Sequence, residues 1–287
     1  MALSLPFSRW LVLWPALLLS AGGASAQAAP GLSLTIPVDT TARLALVYPS
    51  PGRKPAPLVL IFHGAFGSAG EMARLSGLAE AGAAAGLTLA FLDAPLGNWA
   101  EHCDCNNADR LGINDTGFVG STVDTLARLG LADPGRVFAI GFSQGGLFVQ
   151  RLACEMADRF RGIVSVAATM SGPLAERCTP TRPVSVTIMH GTRDPVFPWD
   201  GGKEGRMRTL GARDAVESWA RRNRCRLQPV STWLPLPAGS GPRWERLDYP
   251  DCAGQAGVSL IVMHGAGHVW PGEAAAGMMI DAVSRQQ

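Results

Sequence analysis

This chain of 287 residues has no apolar run long enough to cross a membrane. Its longest, Trp10 to Leu19, spans about ten residues where hydrocarbon requires about twenty, so stable membrane insertion is not expected. It also lacks a marked excess of either charge: 25 basic and 23 acidic side chains leave a formal charge of +2. That balance gives no electrostatic footing for nucleic acid or an acidic lipid surface as a partner. No internal repeat or low-complexity linker divides the sequence, which leaves one compact unit as the expectation. Charged residues are scarce as well, 17% against 47% hydrophobic, so a large core is available and a disordered chain is excluded.

What is present starts with residues Met1 to Ala26. One charge, Arg9, precedes the apolar core, and small residues end the segment at Ala24-Ser25-Ala26. This is the layout of a secretory signal peptide cleaved before Gln27, with no cysteine directly after the core to carry a lipid. Residues 27–287 are then expected to form a single exported α/β domain, periplasmic or extracellular. All six cysteines lie in that part, and an even number in an oxidising compartment predicts disulfides, although six allow 15 pairings. Cys225 with Cys252 is the favoured bridge; closing that segment contributes about 3 to 4 kcal/mol in the chain-entropy model. Cys154 with Cys178 is a second choice. Cys103 and Cys105 are left over, since a bridge across one residue is expected to be strained. As Cys-x-Cys beside His102 they make a poor zinc pattern, and no metal is expected.

Hydrophobic spacing outlines the domain. Leu32 to Pro37 and Ala42 to Tyr48 read as an opening antiparallel hairpin. The near-continuous apolar run Pro57–Phe62 reads as a central strand covered on both faces, Arg136–Ile140 as a short buried strand, and further strands are expected at Leu87–Leu92, Ile163–Ala168, Val184–Met189 and Val258–Met263. Helices are expected at Gly70–Ala85, at Gly117–Leu129 with Asp115 or Thr116 as cap, and at Gly146–Phe160, Asp214–Asn223 and Glu273–Val283. The alternation predicts an α/β fold with a mainly parallel central sheet and helices on both faces, ligands binding beyond the carboxyl ends of the strands.

Gly141-Phe142-Ser143-Gln144-Gly145 falls between one of these strands and a helix, the context a nucleophile elbow needs. Two glycines permit the tight turn, and the helix start offers the Gln144 N–H to a developing oxyanion. Two later strands end in Asp194 and His268, giving the chain order Ser143, Asp194, His268. A serine hydroxyl is a weak nucleophile at its own pKa, so His268 is the expected base and Asp194 the group that orients it. Asp200 and His264 are the rivals for those roles. The loop His63-Gly64-Ala65-Phe66-Gly67-Ser68 is expected to supply the second oxyanion donor, the Ala65 N–H first and Phe66 second, with His63 a structural histidine. Phe66, Trp99, Trp199 and Trp270 fall in rim loops and are candidate substrate contacts.

These segments, with Asn114-Asp115-Thr116-Gly117-Phe118-Val119, His190-Gly191-Thr192-Arg193-Asp194-Pro195 and Gly267-His268-Val269-Trp270-Pro271-Gly272, resemble the secreted esterase family that includes polyhydroxybutyrate depolymerases and feruloyl esterases. The resemblance implies an α/β-hydrolase fold, a Ser143–His268–Asp194 triad and no cofactor. The chain departs at Asn114 and Thr116, where family members carry a paired acid and a valine. The short segment between the strands at 163–168 and 184–189 leaves no room for a large lid, so an open site for soluble or oligomeric esters is expected. With no appended module after the last helix, attack on crystalline polyester is not expected. A serine peptidase of the same fold, or a binding protein that retains it, is the alternative.

Overall fold

The computed structural model describes residues 31–284, apart from 53, 104, 203–207, 236–242 and the side chain of 274. The expected signal peptide lies outside the described residues. In chain order the elements are β1 (Leu32–Val38), β2 (Thr41–Tyr48), β3 (Ala56–Phe62), α1 (Ala69–Leu75), α2 (Leu78–Ala84), β4 (Thr88–Leu92), α3 (Asn107–Arg110), α4 (Asp115–Arg128), β5 (Ala132–Phe142) and α5 (Gln144–Glu155). There follow β6 (Gly162–Val166), α6 (Gly172–Arg177), β7 (Ser185–Gly191), α7 (Ala212–Arg222), β8 (Val230–Leu234), β9 (Trp244–Tyr249), β10 (Val258–Met263) and α8 (Glu273–Ser284).

The strands form one sheet in the order β1-β2-β4-β3-β5-β6-β7-β10-β9-β8. From β4 to β10 the pairings are parallel, and an antiparallel hairpin closes each end. The central strands are buried residue after residue because helices cover both faces. Helices α4, α5, α6 and α7 pack on one face through Phe118, Phe148, Leu174 and Trp219. Helices α1, α2 and α8 cover the other through Met72, Leu78 and Met279. Only the six-residue α6 lies between β6 and β7, so no large lid is built there. Among the described residues no helix is long and apolar enough to cross a membrane.

Three expectations are corrected. The single helix expected at 70–85 is two, because Gly77 turns left-handed at φ 70° between them. The cap of α4 is Asn114, whose side chain accepts from the Gly117 N–H at 2.9 Å. Asp115 is instead buried, accepting from Arg43 at 2.5 Å and from the Ala100 N–H at 2.6 Å. The stretch between Cys225 and Cys252, read as loop-rich, carries the β8–β9 edge hairpin; β8 is mostly exposed, so its sequence has no buried face to betray it. Cys225 bonds Cys252 and Cys154 bonds Cys178, and the leftover Cys103 and Cys105 are joined to each other.

Candidate active site

Ser143 stands alone between the end of β5 and the start of α5, with φ 55° and ψ −120°. Such a backbone costs an L-residue about 1–3 kcal/mol and persists only where its surroundings dictate it. Here they do. A Cβ on Gly141 would lie 2.0 Å from the Gly145 carbonyl oxygen, and one on Gly145 would lie 2.4 Å from that of Phe62, so neither glycine admits a side chain. The Ser143 N–H donates to Val166 O at 2.8 Å and ties the turn to β6.

Loops beyond β7 and β10 bring the other two expected residues to the serine. His268 Nε2 is 2.9 Å from Ser143 Oγ, and His268 Nδ1 is 2.9 Å from Asp194 Oδ2. With the Nδ1 proton directed at the carboxylate, Nε2 presents its lone pair to the hydroxyl. Asp194 Oδ1 accepts from the Val196 and Phe197 N–H groups at 2.8 and 2.9 Å. Burial alone raises the Asp194 pKa, but the hydrogen bonds from His268 and these amides outweigh it and hold the carboxyl below its ordinary value. Behind it the buried His190 donates from Nε2 to Phe197 O at 2.8 Å, and burial lowers its pKa. Of the rivals, Asp200 is exposed, and His264 turns to Glu245 at 3.2 Å and to the Trp233 ring.

The Ala65 N–H makes no hydrogen bond among the described residues, and the Gln144 N–H, first in α5, has no carbonyl a turn behind it. Phe66, the second choice as donor, is corrected: its N–H is engaged with Gly97 O at 2.7 Å. His63 serves structure, with Nδ1 2.7 Å from Gly64 O and Nε2 accepting from the Ala94 N–H at 3.1 Å. Beside the serine opens a cleft of about 510 Å³, walled by Ala65, Glu71, Met72, Leu75, Phe142 and Trp270.

The four rim aromatics have different fates. Trp270 lines the cleft, its ring set edge-on to Phe142 at 5.8 Å. Phe66 is 84% exposed at the rim and does not line the cleft. Trp199 is half-buried beside His190 and is not part of the cleft wall. Trp99 is fully buried, stacked on Phe148 at 5.2 Å and donating from Nε1 to His63 O at 2.9 Å, so it is a core residue and not a substrate contact. Sequence reasoning missed Phe142, whose ring is 5.5 Å from that of His268, and Met72 and Leu75 of α1. The variable position of the elbow was the available signal for Phe142. A helix directly after the loop His63–Ser68 was the signal for the other two. Cys103, Cys105 and Glu101 draw together, but both sulfurs are committed to a disulfide.

Residues 102–209 match the family described as Phospholipase/Carboxylesterase. The chain is 37% identical over 233 residues to NocK, named as an esterase, of Nocardia uniformis subsp. tsuyamanensis, covering 75% of this chain and 66% of NocK. It is 29% identical over 232 residues to Feruloyl esterase B of Piromyces equi, covering 76% of this chain and 40% of that protein. The chain thus spans 66% and 40% of the lengths of these two relatives. Among solved structures, the Acetyl xylan esterase from Aspergillus awamori matches with a TM-score of 0.60 at 15% identity, covering 84% of this chain and 95% of that one, a likeness of fold.

Proposed function

We propose that this chain, which belongs to the α/β-hydrolase esterase family that includes the feruloyl esterases, is a secreted serine esterase acting through an acyl-enzyme on Ser143. One observation carries the reading: an unbroken Ser143–His268–Asp194 hydrogen-bond chain, 2.9 Å at each link, beside an apolar cleft. In this mechanism Ser143 Oγ attacks the ester carbonyl while His268 Nε2 takes its proton. Asp194, held anionic, stabilises the imidazolium. The Ala65 and Gln144 N–H groups receive the oxyanion, each contributing about 3 to 4 kcal/mol to the transition state by the measure of other hydrolases. His268 then returns the proton to the leaving alcohol, and water, activated by the same imidazole, releases the acid.

The substrate in this reading is a soluble or oligomeric ester. Met72, Leu75, Phe142 and Trp270 give the cleft an apolar wall suited to an aromatic or short aliphatic acyl group. Feruloyl, acetyl and 3-hydroxybutyryl esters are the candidates. Export is supported by three disulfides that engage all six cysteines. The test is the initial rate of residues 27–287, and of the same chain with Ser143→Ala, on nitrophenyl esters, methyl ferulate, acetylated xylan and soluble 3-hydroxybutyrate oligomers. Ester hydrolysis that vanishes in Ser143→Ala is the expected result. Equal inactivity of both on every ester would sink it, and equal rates on matched amides would move the reading to a peptidase.

A further inference from the structure

The segment from Ala94 to Glu101, after β4, touches both halves of the oxyanion site. Its Gly97 carbonyl accepts from the Phe66 N–H at 2.7 Å, one residue from Ala65. Its Trp99 clasps the Gln144 side chain: the Trp99 N–H donates to Gln144 Oε1 at 3.3 Å, and Gln144 Nε2 donates to Trp99 O at 3.4 Å. Asn106 Nδ2 donates to the same Trp99 carbonyl at 3.1 Å and reaches Glu101 Oε1 at 3.5 Å.

Glu101 closes this group. It is 1% exposed, its Oε1 takes the Asn106 contact, and its Oε2 is buried with no hydrogen-bond partner among the described residues. No cation pairs with it among the described residues. The charged groups nearby are Asp109 on α3, of like sign, Arg151 on α5, committed to Ala100 O and Glu155, and Asp115 on α4, committed to Arg43 and the Ala100 N–H. An ionised carboxylate here would be a buried charge without a counter-ion, a cost that the uncharged acid avoids while its Oε1 still accepts from Asn106. Burial, with Asp109 adding to it, pushes the Glu101 pKa well above its ordinary 4.5.

We propose that Glu101 is a positioning residue of the oxyanion site: as an uncharged acid it completes the Asn106–Trp99–Gln144 network and so fixes the Gln144 N–H where the oxyanion forms. The inference rests on the esterase reading above. Loss of the Glu101 proton places a negative charge behind the oxyanion and opposes the transition state more than substrate binding, so kcat falls at alkaline pH while KM holds.

The experiment is kcat and KM against pH for wild type, Glu101→Gln and Glu101→Ala on a short nitrophenyl ester, with Ser143→Ala as the blank. Glu101→Gln is expected to rescue kcat to within about twofold of wild type at neutral pH and to lack the alkaline fall. Glu101→Ala is expected to lose about tenfold or more in kcat with KM within about twofold. Melting temperatures give a readout that needs no turnover. Above pH 4.5 the unfolded chain ionises Glu101 and the folded chain does not, so the advantage of Glu101→Gln over wild type should widen as pH rises. Wild-type kcat in Glu101→Ala, Glu101→Gln as impaired as Glu101→Ala, or an unchanged alkaline limb in Glu101→Gln would each overturn the inference while leaving an active Ser143 intact. Should Glu101→Ala not fold, the pH profile of Glu101→Gln decides alone. Wild-type turnover no higher than that of Ser143→Ala would overturn the esterase reading, and this inference with it.

Discussion

The loops after β5, β7 and β10 meet those after β3 and β4 over Ser143, yet the two groups are held in different ways. On the first side the anchors are mostly short in sequence: Asp194 accepts from Val196 and Phe197, and Ser143 is fixed by the crowding of Gly141 against Gly145. On the second side they are long: Trp99 is fixed by Phe62, His63 and Phe148, and Ala94 and Gly97 brace the loop at His63–Phe66. Reactive geometry is thus written in short motifs, while the shape of the cleft depends on packing between distant segments. A change on the first side should remove rate and leave the fold; a change on the second should remove stability or selectivity and leave the chemistry.

The largest expected effect is on the first side. Asp194→Asn should lower kcat by about 10⁴-fold at neutral pH with a normal fold, because an amide cannot hold the Nδ1–H tautomer or support the imidazolium. Near-normal kcat in that variant would break the comparison. On the second side, Trp99→Ala should cost about 3–5 kcal/mol in denaturant unfolding, as expected for a fully buried indole, whereas Phe66→Ala should change stability by less than about 0.5 kcal/mol. Equal losses would mean that Trp99 is not the core residue described. Smaller still, Trp270→Ala should raise KM for aromatic esters about tenfold and leave acetate esters within about twofold, a split that assigns Trp270 to recognition.

Acid should act on both sides through different groups. His63 and His190 are buried with pKa values below their ordinary 6.5, so as pH falls below that value the unfolded chain takes up protons that the folded chain refuses. Asp194, held below its ordinary 3.8, contributes stability that is present above that value and is lost as pH falls through its folded pKa. The two histidines therefore lower the melting temperature from about pH 6.5 downward, opposed over that range by Glu101 and Asp115, whose burial raises their pKa values, and Asp194 adds a further fall below about pH 4. Melting temperatures of wild type and His190→Gln measured from about pH 7 to about pH 4 isolate one histidine: their difference should shift as pH falls below about 6.5, and a constant difference would contradict the buried, neutral state of His190.

The same contrast explains what could be read beforehand. The parallel centre was legible because strands buried on both faces are apolar without interruption, as Ala56–Phe62 is. Ser143, Asp194 and His268 were legible as candidates because each follows a strand within a glycine-bearing loop. The edge strand Val230–Leu234 was not, since exposure removes the alternation that marks a half-buried strand. Trp99 was placed at the rim because a loop position says nothing of the Phe62 and Phe148 rings that enclose it, supplied by residues far away in the chain. Glu101 went unremarked for a similar reason: nothing local distinguishes a buried acid from a solvated one.

The most direct test of the account is peptide-level mass analysis of the protein after reaction with a fluorophosphonate probe, alongside Ser143→Ala. One covalent adduct, on the peptide containing Ser143 and absent from the variant, is the predicted result. An adduct on another residue, or none on a folded wild-type chain, would contradict an activated Ser143 and with it the proposed reaction.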